Sequence, residues 1–383
     1  MHFISMETTL WIAENLPQVT QLLRTLCAIP APSGKEEQRA AFCEKWLTDA
    51  GVPGVFTDEA LNVICPIHDD GGPVTIVMAH TDTVFPDLSP MPFTEDDTRL
   101  CSPGVGDDTA NLALLMTAAR YLVEEKVPLN SGLVLVCNSC EEGLGNLKGC
   151  RAVMERYQGR IRSFVSFDGN LDHICVRAVG SHRYRVEVET QGGHSFSAFG
   201  VPNAIHQLSR FITDFYSLPL PHRGRTTCNV GVIEGGTSVN SIAQRASMLC
   251  EYRSDDASSL ATMEGAFEAL IARHRDAGVR LTVTRMGERP CGSSTPSAAQ
   301  QKLIDWAEKS MAAVTGKTPS LDSGSTDANI PLSLDIPAVT LGLIRGDLAH
   351  TRQEYILKDS LAEGLTLAVS ILSDLCYGSL ALP

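Results

Sequence analysis

The chain has 383 residues, of which 43% are hydrophobic and 20% charged, a composition typical of a globular protein long enough for two domains. Its formal net charge of −14 argues against nucleic-acid or anionic-membrane binding, which require clustered Lys and Arg. Residues 1–14 lack the basic start, apolar centre and cleavage site of a signal peptide, and no segment approaches the roughly 18 apolar residues of a membrane span. We therefore expect a cytoplasmic protein.

The twelve cysteines are scattered, mostly within apolar runs, and we interpret them as reduced, buried thiols. Cys137 and Cys140 form a CxxC pair, which could instead indicate redox or zinc chemistry. No second CxxC accompanies this pair, and it falls within a predicted strand. Buried thiols are therefore the favoured interpretation.

Two kinds of strand occur along the chain. Segments such as 74–79 and 133–137 are continuously apolar, as in a parallel sheet covered by helices on both faces. Around these strands, the periodicity predicts helices near 34–50, 108–124, 297–315 and 358–376. The segment 183–190 instead alternates apolar and charged residues, as in a half-exposed antiparallel sheet. This segment begins a second, contiguous region of predicted elements. They are strand 183–190, helix 203–216, strands 227–234 and 245–253, helix 257–274 and strand 279–286.

The order β-α-β-β-α-β of this second region is that of a ferredoxin-like unit. We therefore predict a doubly wound, mostly parallel α/β domain, residues 1–179 and 293–383, interrupted by an inserted α+β ferredoxin-like domain, residues 180–292. Gly180-Ser181 and Gly292-Ser293-Ser294 flank the insertion as predicted hinges.

Residues with metal-binding side chains follow the apolar strands, directly or through a short glycine-containing segment. They are His80, Asp107, Glu141 with Glu142, Asp168 and His350. Ligands of open α/β sheets bind outside the carboxyl ends of the strands. Five such groups gathered at that edge, with Glu141 and Glu142 counted as one, can hold two divalent metals, which predicts metal-assisted hydrolysis.

The local patterns around these residues leave alternatives open. In His80-Thr81-Asp82 the outer side chains lie on one side of an extended segment, so Asp82 can orient a metal-binding His80. Alone, that pattern is more typical of a histidine bonded within a loop. Asp107 and Asp108 open a predicted helix, where carboxylates are favoured as caps, although a carboxylate bridging two metals also fits the turn.

Glu141 and Glu142 are harder to explain as ordinary surface residues. Adjacent carboxylates near a core repel each other and raise each other's pKa, so the alternative is a solvated loop. At a metal site, one glutamate could bind metal while the other accepts a proton from water as general base. In the inserted domain, His194, Asn240 and Arg253 are individually unremarkable. Together they could donate hydrogen bonds to an oxyanion and to a substrate carboxylate.

The chain resembles the di-zinc exopeptidase and aminoacylase superfamily that includes peptidase T, the dipeptidases, glutamate carboxypeptidase and succinyl-diaminopimelate desuccinylase. The shared motifs follow in family order over nearly the whole chain. They are His80-Thr81-Asp82-Thr83-Val84, Gly106-Asp107-Asp108, Glu141-Glu142-Gly143, Asp168-Gly169, Gly192-Gly193-His194-Ser195, Gly236-Thr237-Ser238-Val239-Asn240, Ser325-Thr326-Asp327 and His350-Thr351-Arg352-Gln353-Glu354-Tyr355-Ile356.

The resemblance implies a role for each ligand-type residue. One metal would be held by His80, Asp107 and Asp168, and the other by Asp107, Glu142 and His350. Asp107 would bridge the two, Glu141 would be the general base, and Asp82 would orient His80. Zinc is the default metal for such ligands, although manganese or cobalt could occupy the same site.

The inserted domain is similar to the family's lid, which usually mediates dimerisation, so the resemblance implies a homodimer. His194 is similar to the histidine that reaches into the partner's active site. Aspartate at position 168 is more typical of di- and tripeptidases and aminopeptidases, whereas Asn240 and Arg253 are similar to the carboxylate-binding set of carboxypeptidase-like members. The approach to His350, residues 344–349, carries two charges where relatives are often glycine-rich.

We therefore expect an exopeptidase that cleaves short peptides, most simply at the amino-terminal residue. The alternatives are an N-acyl amino acid amidohydrolase or carboxypeptidase and, from another class, an inactive binding protein on the same scaffold. A binding protein would not need the adjacent glutamates, because a perturbed carboxylate pair in a cleft favours catalysis.

Overall fold

The structure of the protein is a computed structural model that describes residues 4–275, 279–292 and 295–380. The helices are α1 (Met6–Ala28), α2 (Glu37–Asp49), α3 (Asn111–Glu124), α4 (Lys148–Arg156), α5 (Ala204–Tyr216), α6 (Ala257–Arg275), α7 (Ala298–Thr315), α8 (Asn329–Ser333) and α9 (Ser360–Tyr377). The strands are β1 (Phe56–Thr57), β2 (Val63–His68), β3 (Val74–His80), β4 (Thr94–Glu95), β5 (Arg99–Cys101), β6 (Gly132–Asn138), β7 (Ile161–Phe167), β8 (His173–Ala178), β9 (Gly180–Glu189), β10 (Gly193–His194), β11 (Thr226–Gly235), β12 (Ser241–Ile242), β13 (Arg245–Ser254), β14 (Arg280–Arg289), β15 (Ser320–Gly324), β16 (Ala338–Leu341), β17 (Gly346–Asp347) and β18 (Tyr355–Leu357).

The described chain divides into two compact units. One contains the residues up to Arg177 and from Thr295 onward, and the other lies between them. Each boundary differs by two residues from the one predicted from sequence. Of the predicted hinges, Gly180-Ser181 lies at the start of β9 rather than in a loop, and Ser293 and Ser294 lie outside the described residues.

The first unit is built on an eight-stranded sheet with the order β1-β2-β6-β3-β7-β16-β8-β15. Its four central strands, β6, β3, β7 and β16, are parallel. All residues of β3 are buried, and its side chains alternate between two cores, Val77 and Ala79 on one face and Ile76 and Met78 on the other. The sheet is therefore covered on both faces, as its continuously apolar strands predict.

Helices form the outer layers of this unit. Residues of α1, α2, α3, α7 and α9 contribute to the core on one face, and residues of α4 and α8 to the core on the other. Among the described helices, α9 alone has the length and hydropathy of a membrane-spanning segment, but 78% of it is buried within the protein. This burial is that of a core helix.

The second unit has a four-stranded antiparallel sheet with the order β11-β13-β9-β14. Its core contains Val186 and Val188 from the sheet together with Phe211 of α5 and Phe267 of α6. The chain order β9-α5-β11-β13-α6-β14 and this strand order are those of a ferredoxin-like unit. The predicted fold class, an α/β domain with an inserted α+β unit, is confirmed.

Two local predictions are wrong. Cys140 lies outside any strand, because β6 ends at Asn138. The regular helix α3 begins at Asn111, so Asp107 and Asp108 do not cap it; they lie in an irregular turn, Val105–Ala110, with non-helical backbone angles and a cis peptide bond between them. The described cysteines, Cys137 and Cys140 included, are free thiols, and most are buried.

Candidate metal centre

The predicted metal ligands converge at the carboxyl edge of the parallel strands. His80 is the last residue of β3, Asp168 directly follows β7, and Glu142 lies four residues beyond the end of β6. The ligand atoms of His80, Asp107 and Asp168 all lie within 4.8 Å of one another, and so do those of Asp107, Glu142 and His350. The two groups share Asp107. The chain thus forms two adjacent sets of three ligand atoms.

Asp107 faces a histidine with each oxygen of its carboxylate. Its Oδ1 lies 3.1 Å from Nε2 of His80, and its Oδ2 lies 2.9 Å from Nε2 of His350. A carboxylate arranged in this way can bind one cation through each oxygen. The irregular turn therefore directs both oxygens of Asp107 at the candidate histidine ligands rather than at a helix N-terminus.

This turn is held by a buried glutamate to which the sequence analysis assigns no role. Glu354 accepts hydrogen bonds from the backbone N–H groups of Gly104 at 2.8 Å, Gly106 at 2.7 Å and Asp107 at 2.8 Å. Burial raises the pKa of Glu354 to about 7, against the lowering effect of these N–H groups. Because Glu354 lies about 250 residues away in sequence, only its place four residues after His350 connects it with the site.

His80 presents its Nε2 to Asp107 because its other nitrogen is already bonded. Nδ1 lies 3.0 Å from the backbone oxygen of Asp82 and 3.4 Å from its Oδ1. A hydrogen bond at Nδ1 fixes the tautomer that leaves Nε2 free for a metal. Burial alone would raise the pKa of Asp82. The hydrogen bond with His80 and the charge of His80 nevertheless hold that pKa below its usual value.

The carboxylate of Asp82 also holds the segment that follows β6. Its Oδ1 accepts a hydrogen bond from the N–H of Glu141, and its Oδ2 accepts one from the N–H of Glu142, both at 2.9 Å. The Ser33 hydroxyl donates to the same Oδ2 at 2.5 Å. One buried side chain therefore connects the exit of β3 with the exit of β6.

Glu141 and Glu142 are both buried, so the solvated-loop alternative is wrong. Oε1 of Glu142 lies 3.2 Å from Nε2 of His350. Burial raises the pKa of Glu142 to about 7. The hydrogen bond with His350 opposes this rise, and the charge of Asp107 adds to it. The pKa of Asp168 is raised well above its usual value by burial and then by the charge of Asp107. This excess of buried negative charge, together with the His and carboxylate donors, fits divalent cations.

Asp327 is a further buried carboxylate near the centre. Its Oδ2 accepts a 2.7 Å hydrogen bond from the side-chain amide of Asn138, whereas its Oδ1 has no partner within the described part of the chain. Burial and then the charge of Glu141 raise the pKa of Asp327 to about 8. The residue belongs to a shared sequence motif, but nothing in that motif predicts its proximity to Glu141.

The three candidate residues of the inserted unit do not form one cluster within that unit. His194 pairs with Ser241 across the β10–β12 ladder, and the N–H of Ser195 donates to the carbonyl of Asn240 at 3.0 Å. Arg253 instead lies at the far end of β13, roughly 26 Å along the strand from its start at about 3.3 Å per residue. Its guanidinium forms two hydrogen bonds with Glu251, at 2.7 and 3.0 Å.

A cavity of about 150 Å³ adjoins the metal-ligand cluster. Asp107 and Asp168 line it together with Asn170, Asp347 and Tyr355. Its remaining described lining is Gly106, Gly169, Ile344, Gly346, Ala349 and Glu354. The cavity therefore has an acidic lining without a lysine or arginine among those residues.

The two charges that precede His350 in sequence have different environments. Arg345 is paired internally, at 2.8 Å with Glu363 and 3.7 Å with Asp172. Asp347 is exposed, and its Oδ1 accepts a hydrogen bond from the backbone N–H of Leu348, at 2.7 Å. Of these two charges, only that of Asp347 faces the cavity.

Comparison with known proteins identifies the family. Residues 76–374 match the model of peptidase family M20/M25/M40. The chain belongs to this family. The succinyl-diaminopimelate desuccinylase of Corynebacterium glutamicum is 25% identical to it over 366 residues, which cover 92% of this chain and 95% of that protein.

Solved structures show the same architecture. Aminopeptidase PepT from Bacillus cereus superimposes with a TM-score of 0.70 at 25% identity and covers 94% of this chain and 99% of its own. The YXEP protein of Bacillus subtilis, a dinuclear metal binding peptidase from the M20 family, has a TM-score of 0.64 at 16% identity, with coverages of 94% and 99%, and shows the shared fold.

These findings confirm the resemblance and the prediction of a metal-dependent hydrolase, and they make an inactive binding protein the weaker interpretation. The names of the relatives divide between peptidases and deacylases.

Proposed function

We propose that the protein is a metal-dependent exopeptidase that removes the amino-terminal residue from short peptides. The observation that carries this proposal is the acidic cavity beside Asp107 and Asp168. A free ammonium group at the substrate's amino terminus complements the exposed carboxylate of Asp347, whereas an N-succinyl or other acidic acyl group would be repelled by it. A carboxylate-binding pocket would instead require an arginine or lysine in the lining.

The residues of the centre divide into ligands, an orienting group and a base. We assign His80, Asp107 and Asp168 to one metal position, and Asp107, Glu142 and His350 to the other. Two divalent cations at these positions supply Lewis acidity that polarises the scissile carbonyl and lowers the pKa of a water molecule. Asp82 keeps Nε2 of His80 directed at Asp107 and holds the backbone of Glu141 and Glu142.

Glu141 is the proposed general base. It lies in the same cluster as His80 and Glu142 but is not needed to complete either set of three ligands. Its carboxylate accepts a proton from the attacking water as the water oxygen bonds to the carbonyl carbon. It then passes that proton to the leaving nitrogen as the C–N bond breaks.

The roles of the two glutamates can be separated by substitution. Glu141→Gln should leave both metals bound and slow turnover by roughly 10²–10⁴-fold, the usual contribution of general acid–base catalysis. Glu142→Gln should instead weaken one of the two metals. Metal content by elemental analysis and single-turnover rates measure both effects. If Glu141→Gln loses metal while Glu142→Gln retains both ions, the two roles are the reverse of those assigned.

The substrate proposal is tested with matched pairs of di- and tripeptides, each with a free and with an acetylated amino terminus, in the presence of zinc, manganese or cobalt. The free peptides should be cleaved faster. Asp347→Asn should raise KM for the free peptides, whereas Asp335→Asn, a change at an exposed residue outside the cavity lining, should not. Turnover of blocked substrates alone would reject the aminopeptidase assignment, and full activity after exhaustive removal of metal would reject metal catalysis.

An N-acyl amino acid amidohydrolase is the second candidate. The full-length relationship to a succinyl-diaminopimelate desuccinylase favours it. N-acetyl and N-succinyl amino acids in the same substrate screen decide between the two candidates.

We further propose a homodimer through the inserted unit, with His194 of one subunit donating a hydrogen bond to the oxyanion in the other. In support, β11 is an edge strand with exposed Ile233, and Phe196 and Phe199 beside His194 are 88% and 90% exposed. Edge strands with unpaired backbone groups can pair with another copy. Mixing His194→Ala with Glu141→Gln should restore activity if subunits exchange. Exchange without recovery would contradict the cross-subunit role.

Zinc and a cytoplasmic location complete the proposal. Zinc is supported by the mixed histidine and carboxylate donors, and elemental analysis of the protein purified without added metal tests it. The location is supported by the free, mostly buried thiols, which are typical of a reducing compartment. Cell fractionation tests it.

A further inference from the structure

Two charged residues at the start of α2 are buried although neither is a proposed metal ligand. Glu36 precedes the helix and is 0% exposed, and Arg39 lies in its first turn and is 1% exposed. Charged side chains are almost never buried to this extent unless they are paired; Arg39 is paired through its three nitrogens, and Glu36 through its Oε1. Their partners therefore show what their burial achieves.

Arg39 joins the end of α1 to two ligand-bearing segments. Its Nε and Nη2 donate to the carbonyl of Ile29 at 3.1 and 2.6 Å, and Nη2 also donates to Leu26 at 2.9 Å. Its Nη1 donates to the carbonyl of Thr81 at 2.8 Å and contacts the hydroxyl of Thr109 at 3.4 Å. A planar guanidinium can reach all these acceptors at once, which a lysine ammonium cannot.

The two distal partners of Arg39 belong to one metal position. Thr81 lies between His80 and Asp82, and Thr109 follows Asp107 and Asp108. Arg39 therefore holds the backbone beside His80 and contacts a side chain two residues after Asp107.

Glu36 holds the segment that carries the other set of side chains. Its Oε1 accepts hydrogen bonds from the N–H of Gly34 at 2.9 Å and the N–H of Cys140 at 3.0 Å, and the Cys140 thiol lies at 3.3 Å. The N–H groups of Glu141 and Glu142 go to Asp82. Three consecutive N–H groups are thus bound by two buried carboxylates.

We propose that Glu36 and Arg39 are positioning residues that act on different metal positions. Arg39 acts chiefly on the position of His80, through the carbonyl of Thr81, and Glu36 acts on the position of Glu142 and His350, through the N–H of Cys140. This inference rests on the two-metal centre proposed above. Groups that hydrogen-bond to metal ligands, or to the backbone that carries them, control the affinity for the ion because they fix ligand orientation before the ion binds.

The test is a metal titration of the metal-free full chain, by calorimetry or by competition with a chelator, that resolves two binding steps for zinc. Arg39→Met should weaken one step by roughly 10–100-fold, the usual effect of losing an outer-shell partner, and leave the other within a few-fold. Glu36→Met should weaken the other step. In a Glu142→Gln background, Arg39→Met should weaken the remaining tight step and Glu36→Met should not.

Conservative variants separate positioning from general stability. Glu36→Gln keeps an acceptor oxygen and should retain most of the affinity, whereas Arg39→Lys keeps only the charge and should not. Two control variants each replace a residue of the same type, one arginine and one glutamate, at a site distant from the metal centre. They are Arg162→Met, which loses bonds to Thr75 and Ser131, and Glu44→Met, which loses a bond from Thr57. Both should lower the melting temperature of the metal-free protein without changing either binding step.

Several results overturn this inference while leaving the metal centre intact. Wild-type affinity in Arg39→Lys would do so, and so would equal weakening of both steps in proportion to the loss of thermal stability. If the Met variants do not fold, Arg39→Lys decides the question. Fewer than two ions bound by the wild-type protein would instead reject the two-metal centre itself.

Discussion

Asp82→Asn is the substitution whose effect on the metal centre can be worked out in most detail. The Asp82 carboxylate is fully buried and acts only as an acceptor. Its Oδ1 bonds the N–H of Glu141 and faces Nδ1 of His80, and its Oδ2 bonds the N–H of Glu142 and the hydroxyl of Ser33. An asparagine can present an oxygen at only one of these two places.

The better orientation of the asparagine keeps its oxygen at the place of Oδ1. The Ser33 hydroxyl can then rotate and accept from the new amide, but the N–H of Glu142 loses its acceptor. A buried donor left without a partner costs about 1–3 kcal/mol. His80 keeps its tautomer, because the backbone oxygen of residue 82 still lies 3.0 Å from Nδ1, but it loses the negative charge that makes it a stronger ligand.

Metal affinity should therefore fall at both positions. We expect about tenfold at the position of His80 and about 10–100-fold at the position of Glu142, within the range found for outer-shell partners. These factors correspond to about 1.4 and 1.4–2.7 kcal/mol of binding free energy. The assay is the two-step zinc titration of the metal-free protein.

Asp256→Asn is the matched control. This buried carboxylate lies in the inserted unit, where it accepts hydrogen bonds from the N–H of Ser259 at 2.9 Å and the hydroxyl of Ser258 at 2.6 Å. Its substitution should lower thermal stability and leave both zinc affinities unchanged. Unchanged zinc affinities in Asp82→Asn, or equal losses in both variants, would refute the assignment of Asp82 as the residue that orients the centre.

Two further predictions concern packing and pH. Gly149→Ala should destabilise the protein by about 1–3 kcal/mol, because the added Cβ would lie 2.3 Å from the carbonyl oxygen of Ser139. Gly265→Ala in α6, where the added Cβ would meet no atom within 4 Å, should instead stabilise the protein by about 0.4–1 kcal/mol. Denaturant unfolding measures both changes. Burial, and then the charge of Arg285, lower the pKa of His182. The neutral form of His182 therefore contributes stability that is fully present above its pKa in the unfolded chain, about 6.5, and that is lost as the pH falls below this value. His182→Gln should flatten the decline in melting temperature between about pH 7 and 5, and an unchanged slope would contradict this.

The convergence of the candidate metal ligands could be predicted because their positions follow from a rule about sheets. Continuously apolar strands are parallel and buried, and the residues after such strands meet at one edge. His80, Glu142 and Asp168 each follow a strand of this kind, so the sequence alone brings them together. The local pattern around Asp107 does not decide between a helix cap and a bridging carboxylate, because its irregular turn is stabilised by the distant Glu354 and has no local signature.

The supporting residues could not be predicted for a related reason. Glu36, Arg39 and Asp327 act through hydrogen bonds to partners 40 to 190 residues away, and no periodicity records such contacts. Helix α1 is not among the elements predicted from the sequence, and it contains Pro17 although proline usually ends a helix. Its burial of Leu22, Leu23 and Leu26 against the core outweighs that local preference.

The position of β16 in the sheet has a consequence for biosynthesis. This strand pairs with β7, although the whole inserted unit, with a core of its own, lies between them in the chain. A domain with its own core can fold as soon as it leaves the ribosome, so the insertion can fold before the domain that surrounds it is complete. Until β16 emerges, β7 is an open edge that could pair with another nascent chain. Metal binding at the candidate position that includes His350 would therefore be among the last steps of maturation, because His350 emerges after β16.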